Sequence, residues 1–198
     1  PANMVERAEV YKGVLPVGLG ADALGGAVNV ITRKTANYLD VSYSFGSFNT
    51  HKASINGAYT NGKTGLTTRL TSFLNYSDNN YKVYVPIIDL ESGQKLGNQW
   101  VKRFHDGYKS LRVRLETGFV NRPFADYLLA GIIVAGNDKD IQNGVVMELV
   151  YGARTTDSRS VIPMLRYKKS DLFIEGWGLS FYGSYSDVDN NSTDTVPR

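Results

Sequence analysis

The residues Met4-Val-Glu-Arg-Ala-Glu-Val-Tyr-Lys-Gly-Val-Leu-Pro-Val-Gly-Leu-Gly-Ala-Asp-Ala-Leu-Gly-Gly-Ala-Val-Asn-Val-Ile-Thr-Arg-Lys34 set the reading of everything that follows them. Val5 to Lys12 alternates apolar and polar side chains around Ala8 and Val10, as a short strand with one covered face does. Gly13 and Pro16 end it. Gly18 to Leu24 is built of small residues, and Gly25-Gly26 prevents a long helix from following, since glycine costs about 1 kcal/mol at a helical position. Ala27 to Thr32 is rich in β-branched residues and stops at Arg33-Lys34, which predicts a second strand. The unit is strand, glycine-rich turn or single helical turn, strand.

Within it, Gly18-Leu19-Gly20-Ala21-Asp22-Ala23 fits the letters of the dinucleotide pattern G-x-G-x-x-A. A phosphate-binding turn needs a helix N-terminus to supply amide donors. Here a glycine pair and a β-branched run follow within a few residues, so no nucleotide site is expected.

The block Val5-Glu6-Arg7-Ala8-Glu9-Val10-Tyr11-Lys12-Gly13 and the block Gly20 to Thr32, at this spacing, resemble the closing segment of the plug domain of TonB-dependent outer-membrane receptors. Two departures mark a subfamily. Ala8 stands where the family usually has Ile or Val, and Val14-Leu15 intervene before Pro16. The resemblance implies the C-terminal part of an α+β plug domain over residues 1–35. Residues 36–198 would then be the first part of a transmembrane β-barrel, of the 22-stranded kind. It also implies active uptake of a scarce nutrient across the bacterial outer membrane, energised by a periplasmic TonB-type partner whose contact box is absent from this chain. Relatives carry iron chelates, haem, cobalamin, oligosaccharides or peptides; an iron chelate is favoured. The motif's arginine, here Arg7, would join a plug-to-barrel network of ion pairs that a modest force rearranges. Glu9 and Lys12 beside it, and Glu116 on the barrel side, are the candidate companions.

From Tyr38 onward, alternating segments about ten residues long are separated by polar turns, the dyad signature of barrel strands. Leu39, Val41, Tyr43 and Phe45 share one face of the first, and a second is expected from His51 to Tyr59. Asn61 to Gly65 is a tight turn, and a third strand follows from Leu66 to Tyr76. Residues 77–105 read as a long connection. Leu111, Val113 and Leu115 then oppose Arg112, Arg114 and Glu116, charges that would cost roughly 2–4 kcal/mol each in mid-hydrocarbon and so are assigned to the lumen. A turn at Asn121 to Asp126 leads to a fifth strand, Tyr127 to Ala135, apolar on both faces and expected to press on the plug. After a second long connection, 137–158, a sixth strand runs from Ser160 to Lys168, with Pro163 predicting a broken ladder bond. The last, Leu172 to Tyr185, changes parity near Glu175-Gly176, as a β-bulge at Gly176 would make it do. The fold class is thus all-β, with about seven strands of an antiparallel transmembrane barrel.

Composition agrees. Among the 198 residues there are 20 Gly and 13 Tyr, hydrophobic residues make up 42%, and no apolar run approaches the ~20 residues of a membrane helix. The net charge of +3, without a basic run interleaved with aromatics, argues against nucleic acid. The absence of cysteine excludes disulfides, thiolate metal sites and cysteine nucleophiles. No signal peptide precedes Pro1, and the chain reads as a portion of something larger at both ends. No enzyme, cofactor or metal is expected. His51 and His105 lack a carboxylate or serine at a telling offset. Asp187-Val188-Asp189-Asn190-Asn191 spaces its oxygens as calcium loops do, yet without the glycine and glutamate such loops need, and reads as an exposed polar loop. Ligand contacts are expected in the long connections, at Tyr81, Tyr84, Trp100, Arg103 and Tyr151. A passive porin would explain strands and loops without needing the Val5 to Thr32 motif. A soluble β-sandwich would put its hydrophobic residues inside.

Overall fold

The computed structural model describes residues 5–13, 25–32, 37–89, 91–144, 147 and 150–194. Gly18 to Ala23, with the dinucleotide-like spacing, and the expected boundary at 35/36 lie outside them. Every regular element among the described residues is an antiparallel strand. β1 (Val5–Lys12) and β2 (Gly26–Thr32) form one two-stranded sheet, joined where the sequence placed both strands. The main sheet contains β3 (Tyr38–Gly46), β4 (Thr50–Thr60), β5 (Leu66–Ser77), β8 (Tyr108–Arg122), β9 (Ala125–Asn143), β10 (Val150–Lys169), β11 (Leu179–Ser184) and β12 (Asp187–Asp194). Between β5 and β8, β6 (Lys82–Ile88) and β7 (Lys95–Lys102) make a separate hairpin.

Four boundaries differ from expectation. The connection at 77–105 carries the β6–β7 hairpin, whose Val83, Val85 and Ile87 alternate over a run too short to stand out beside a proline. The second long connection shrinks, because β9 continues to Asn143 and β10 begins at Val150. Those extensions are mostly polar, with only isolated Ile141, Val150 and Ala153, so they carry no apolar period. Residues 172–178 are a turn rather than strand: Leu172 N donates to Trp177 O, and Gly176 N to the Asp171 carboxylate. The parity change there is this turn, with no bulge. Asp187 to Asn191 belong to β12, so the calcium-like spacing lies on an extended strand instead of a loop.

β11 and β12 are one strand interrupted. Met164 pairs with Ser184 and Val161 with Asp187, in unbroken register across the gap at 185–186. The residue opposite the gap is Pro163, whose carbonyl accepts from Tyr185 N at 3.1 Å but which has no N–H to return. On its other side Pro163 stays paired with Ile132 of β9. The expected broken ladder bond is therefore present, and it falls on the side away from β9.

The two faces of the main sheet are unlike. Leu39, Val41, Tyr43 and Phe45 of β3 are 64–72% exposed, and on the same face Ile55, Leu74, Leu115, Ile132, Val161 and Leu165 remain 40–43% exposed. The buried Asn56, Thr67, Glu116, Leu129 and Met164 all project from the opposite face. A sheet in a water-soluble domain hides its aliphatic face and shows its polar one; this one does the reverse.

Pro163→Val should supply the missing donor. Hydrogen exchange on the variant is expected to show a protected amide at position 163 itself, with a stability gain of about 1 kcal/mol; rapid exchange of that amide would mean that the gap has another cause.

Candidate functional site

Three clusters hold the residues that the sequence marked. The first is on β1–β2. Alternation puts Arg7, Glu9 and Tyr11 on one face of β1, and register puts Asn29 of β2 opposite Glu9. Glu9 collects them: Arg7 Nε donates to Oε1 at 2.9 Å, while Tyr11 Oη and Asn29 Nδ2 donate to Oε2 at 2.9 and 3.2 Å. The Arg7 hydrogen bond, reinforced by Tyr11 and Asn29, holds the Glu9 carboxyl below its usual range and raises the Arg7 guanidinium above its own. Arg7 nevertheless stays 59% exposed, so this pair is open to solvent and to exchange of partners. Lys12 ends the strand opposite Gly26.

The second cluster lies on the polar face of the main sheet. Glu116 of β8 is buried, with Arg114 Nη2 at 2.8 Å and Arg166 Nη1 of β10 at 3.4 Å from the same carboxylate oxygen. Glu116 and Arg166 meet across the single strand β9, where Gly131 is the register partner of both Glu116 and Met164 and Leu129 that of Arg166. A Cβ at Gly131 would stand 2.7 Å from Glu116 Cγ and 2.9 Å from Leu115 O. The bare glycine is the passage by which Glu116 reaches across β9. Arg112 is on this same face, exposed, beside Arg114, as alternation requires. Leu129 and Ile133 of β9, the source of its two-faced apolar character, are buried on this face beside Met164.

The third cluster anchors the β5–β8 connection. Arg103, buried, places Nε 3.0 Å from Asp106 and donates from Nη2 to Asn143 Oδ1 at 2.7 Å. Lys139 of β9 donates to both the carboxylate and the carbonyl of Asp106. Gln142 Oε1 accepts from the backbone N–H groups of Phe104 and His105. Arg103 also lies 5.3 Å over the Tyr81 ring, so both residues work at the base of the connection. Tyr84 and Trp100, register partners on β6 and β7 with ring centroids 5.3 Å apart, share an exposed face with Lys82 and Lys102. Tyr151 lies apart from these on β10, under Arg154. The five expected ligand contacts thus fall into three places.

His105 Nε2 donates to the Arg154 carbonyl at 3.0 Å, and His51 lies on the aliphatic face with Tyr43 Oη at 2.7 Å from Nδ1. Among the described residues no group of His, Asp or Glu has the geometry of a metal centre. Sequence reasoning missed Gly131, Lys139 and Gln142, because each acts through a register that only pairing defines. The chain matches no family model, no curated protein and no solved structure.

Two outcomes follow from these clusters. Gly131→Val should push Glu116 from Arg166 and lower the urea midpoint by the equivalent of about 1–3 kcal/mol; additivity with Arg166→Met in a double-mutant cycle would show that the passage is not what Gly131 provides. For Glu9, the folded carboxyl titrates below its unfolded value. Its contribution is present above the ordinary carboxylate range and is lost as pH falls through the depressed value. An NMR titration of Glu9 should show Arg7→Gln moving the carboxyl back up toward its usual range.

Proposed function

We propose that this chain is part of a TonB-dependent receptor that takes a scarce nutrient, with an iron chelate favoured, across the bacterial outer membrane. The observation that carries the reading is the inverted sheet. A face on which Leu39, Val41, Leu115, Ile132 and Leu165 all stay exposed is suited to hydrocarbon, and the face holding Glu116, Arg114 and Arg166 to a polar interior. On β8 and β9 the aliphatic bands run from Leu111 to Phe119 and from Leu128 to Gly136, about nine residues each, the length a strand tilted near 45° needs to cross a bilayer.

The connections support the same orientation. Asn61 to Gly65 and Pro123-Phe124 are short turns at one end, while the other end carries the β6–β7 hairpin and the extensions of β9 and β10. Short periplasmic turns and long outward loops are the habit of such barrels. The β1–β2 hairpin with its Arg7–Glu9 pair supplies the closing segment of a plug. In this reading a periplasmic partner pulls on the plug, and solvent-exposed ion pairs such as Arg7–Glu9 give way at low cost. Nutrient capture falls to the outward connections, where Tyr84 and Trp100 present an open aromatic surface and Arg103 with Tyr81 holds its base.

Cells carrying the full-length parent should accumulate one class among ferric chelates, haem, cobalamin and oligosaccharides, and lose that uptake both on uncoupling the proton-motive force and on Arg7→Ala. Entry of small solutes regardless of energy would make the protein a passive pore and remove the gating role of Arg7.

A further inference from the structure

On its polar face the main sheet carries more cations than acids along β3, β4, β5 and β8. Asp40 and Glu116 are the acidic side chains that these strands place there, and both already have partners. Lys52 of β4, Arg69 of β5 and Arg112 of β8 lie on the same face by register, and the side chain of none of them makes a hydrogen bond or ion pair with a described residue. Lys52 and Asn75 are register partners, as are Phe73 and Arg112. A lysine and an arginine therefore stand on either side of β5, with an amide and an aromatic ring between them. Lys52 and Asn75 both line two cavities, of about 450 and 380 Å³. Ser44 adds a hydroxyl and Phe73 its ring to the first, and Tyr108 a hydroxyl to the second; no carboxylate lines either. Cations, hydroxyls and an amide around open space, with acids kept away, suit an anion better than a neutral or cationic guest.

We propose that this part of the polar face is a binding site for a multiply charged anion, and that the nutrient is an anionic chelate whose carboxylate or phenolate oxygens face Lys52 and Arg112. The site rests on the uptake reading above, in which this face lines the lumen, and it narrows the cargo to one charge class. Arg112 offers a planar fork to a pair of oxygens and Lys52 a point charge, while Asn75 and the hydroxyls of Ser44 and Tyr108 supply directional donors. Arg69, four residues from Phe73 along β5, continues the cationic face toward the short-turn end. An outward counterpart exists on the β6–β7 hairpin. Lys82 and Lys102 are register partners there, next to Tyr84 and Trp100, and neither has an acidic partner among the described residues. Like charges directly opposite one another weaken a strand pair, so an anion drawn to the aromatic surface relieves that repulsion before it reaches the wall.

Cells carrying the full-length parent are offered ferric citrate, a ferric tris-catecholate and haem, all anionic, and a neutral ferric trihydroxamate and a neutral oligosaccharide, with uptake measured before and after uncoupling. Uptake should fall within the anionic set. Lys52→Gln with Arg112→Gln should raise the KM for that compound at least ~10-fold, the effect of losing charge-assisted hydrogen bonds, while Lys52→Arg with Arg112→Lys keeps most of the affinity. Heat-dependent gel migration compares the amounts of folded protein, and if the double variant does not fold, Lys52→Gln alone carries the test with a smaller rise. Energy-dependent uptake of a neutral compound, or an unchanged KM in the variants, overturns this site and leaves the receptor reading standing. Leakage of small solutes through the double variant with KM unchanged does the same, and would make these cations contacts of the plug. Entry independent of energy, or no entry of any compound, overturns the receptor reading and this site together.

Discussion

The rest of the structure depends on backbone hydrogen bonds that run from strand to strand beneath a bare aliphatic face. Each N–H and C=O inside the sheet needs a partner, and only the register of one strand on the next supplies it. From β3 to β10 each strand pairs with the next across β4, β5, β8 and β9, with a shift of register on β10 between Val150 and Arg154. The local failure between β11 and β12 coincides with a residue opposite that cannot donate, Pro163. Among the described residues the sheet has two edges, at β3 and at β11 with β12.

Pairing also determines what the polar face can do. A carboxylate removed from water needs partners, and Glu116 has two arginines from two strands. That convergence requires an empty place on the strand between them, and Gly131 is the empty place. Gly131 matters less for its own freedom than for what it lets the neighbouring strands' long side chains reach.

The connections obey a different rule. The β6–β7 hairpin has an exposed aromatic surface, and its root is held by charged and amide groups that are mostly buried: Arg103, Asp106 and Gln142, with Lys139 of β9. A rigid root below an open surface keeps Tyr84 and Trp100 in place without covering them. The polar extension of β9 beyond the aliphatic band exists to provide that root, since Lys139, Gln142 and Asn143 all lie on it.

Much of this was legible in the sequence wherever one face differs from the other. Period-2 alternation from Leu39 to Phe45, Ala53 to Tyr59 and Leu111 to Leu115 placed strands, and the charges on Arg112, Arg114 and Glu116 indicated which face they share, because chemistry alternates with the pleat. Pro163 announced its broken bond for the same reason, a local property of one residue. The polar extensions of β9 and β10, the polar β12 and the short β6–β7 hairpin carry no such contrast, and by sequence they are indistinguishable from loops. Which residues meet was beyond any one-dimensional pattern. Glu116 and Arg166 are brought together by the pairing of β8, β9 and β10, and Arg103 and Lys139 by a connection folding back on β9. Alternation is a property of a single strand, whereas register is a relation between strands, and only the assembled sheet decides it.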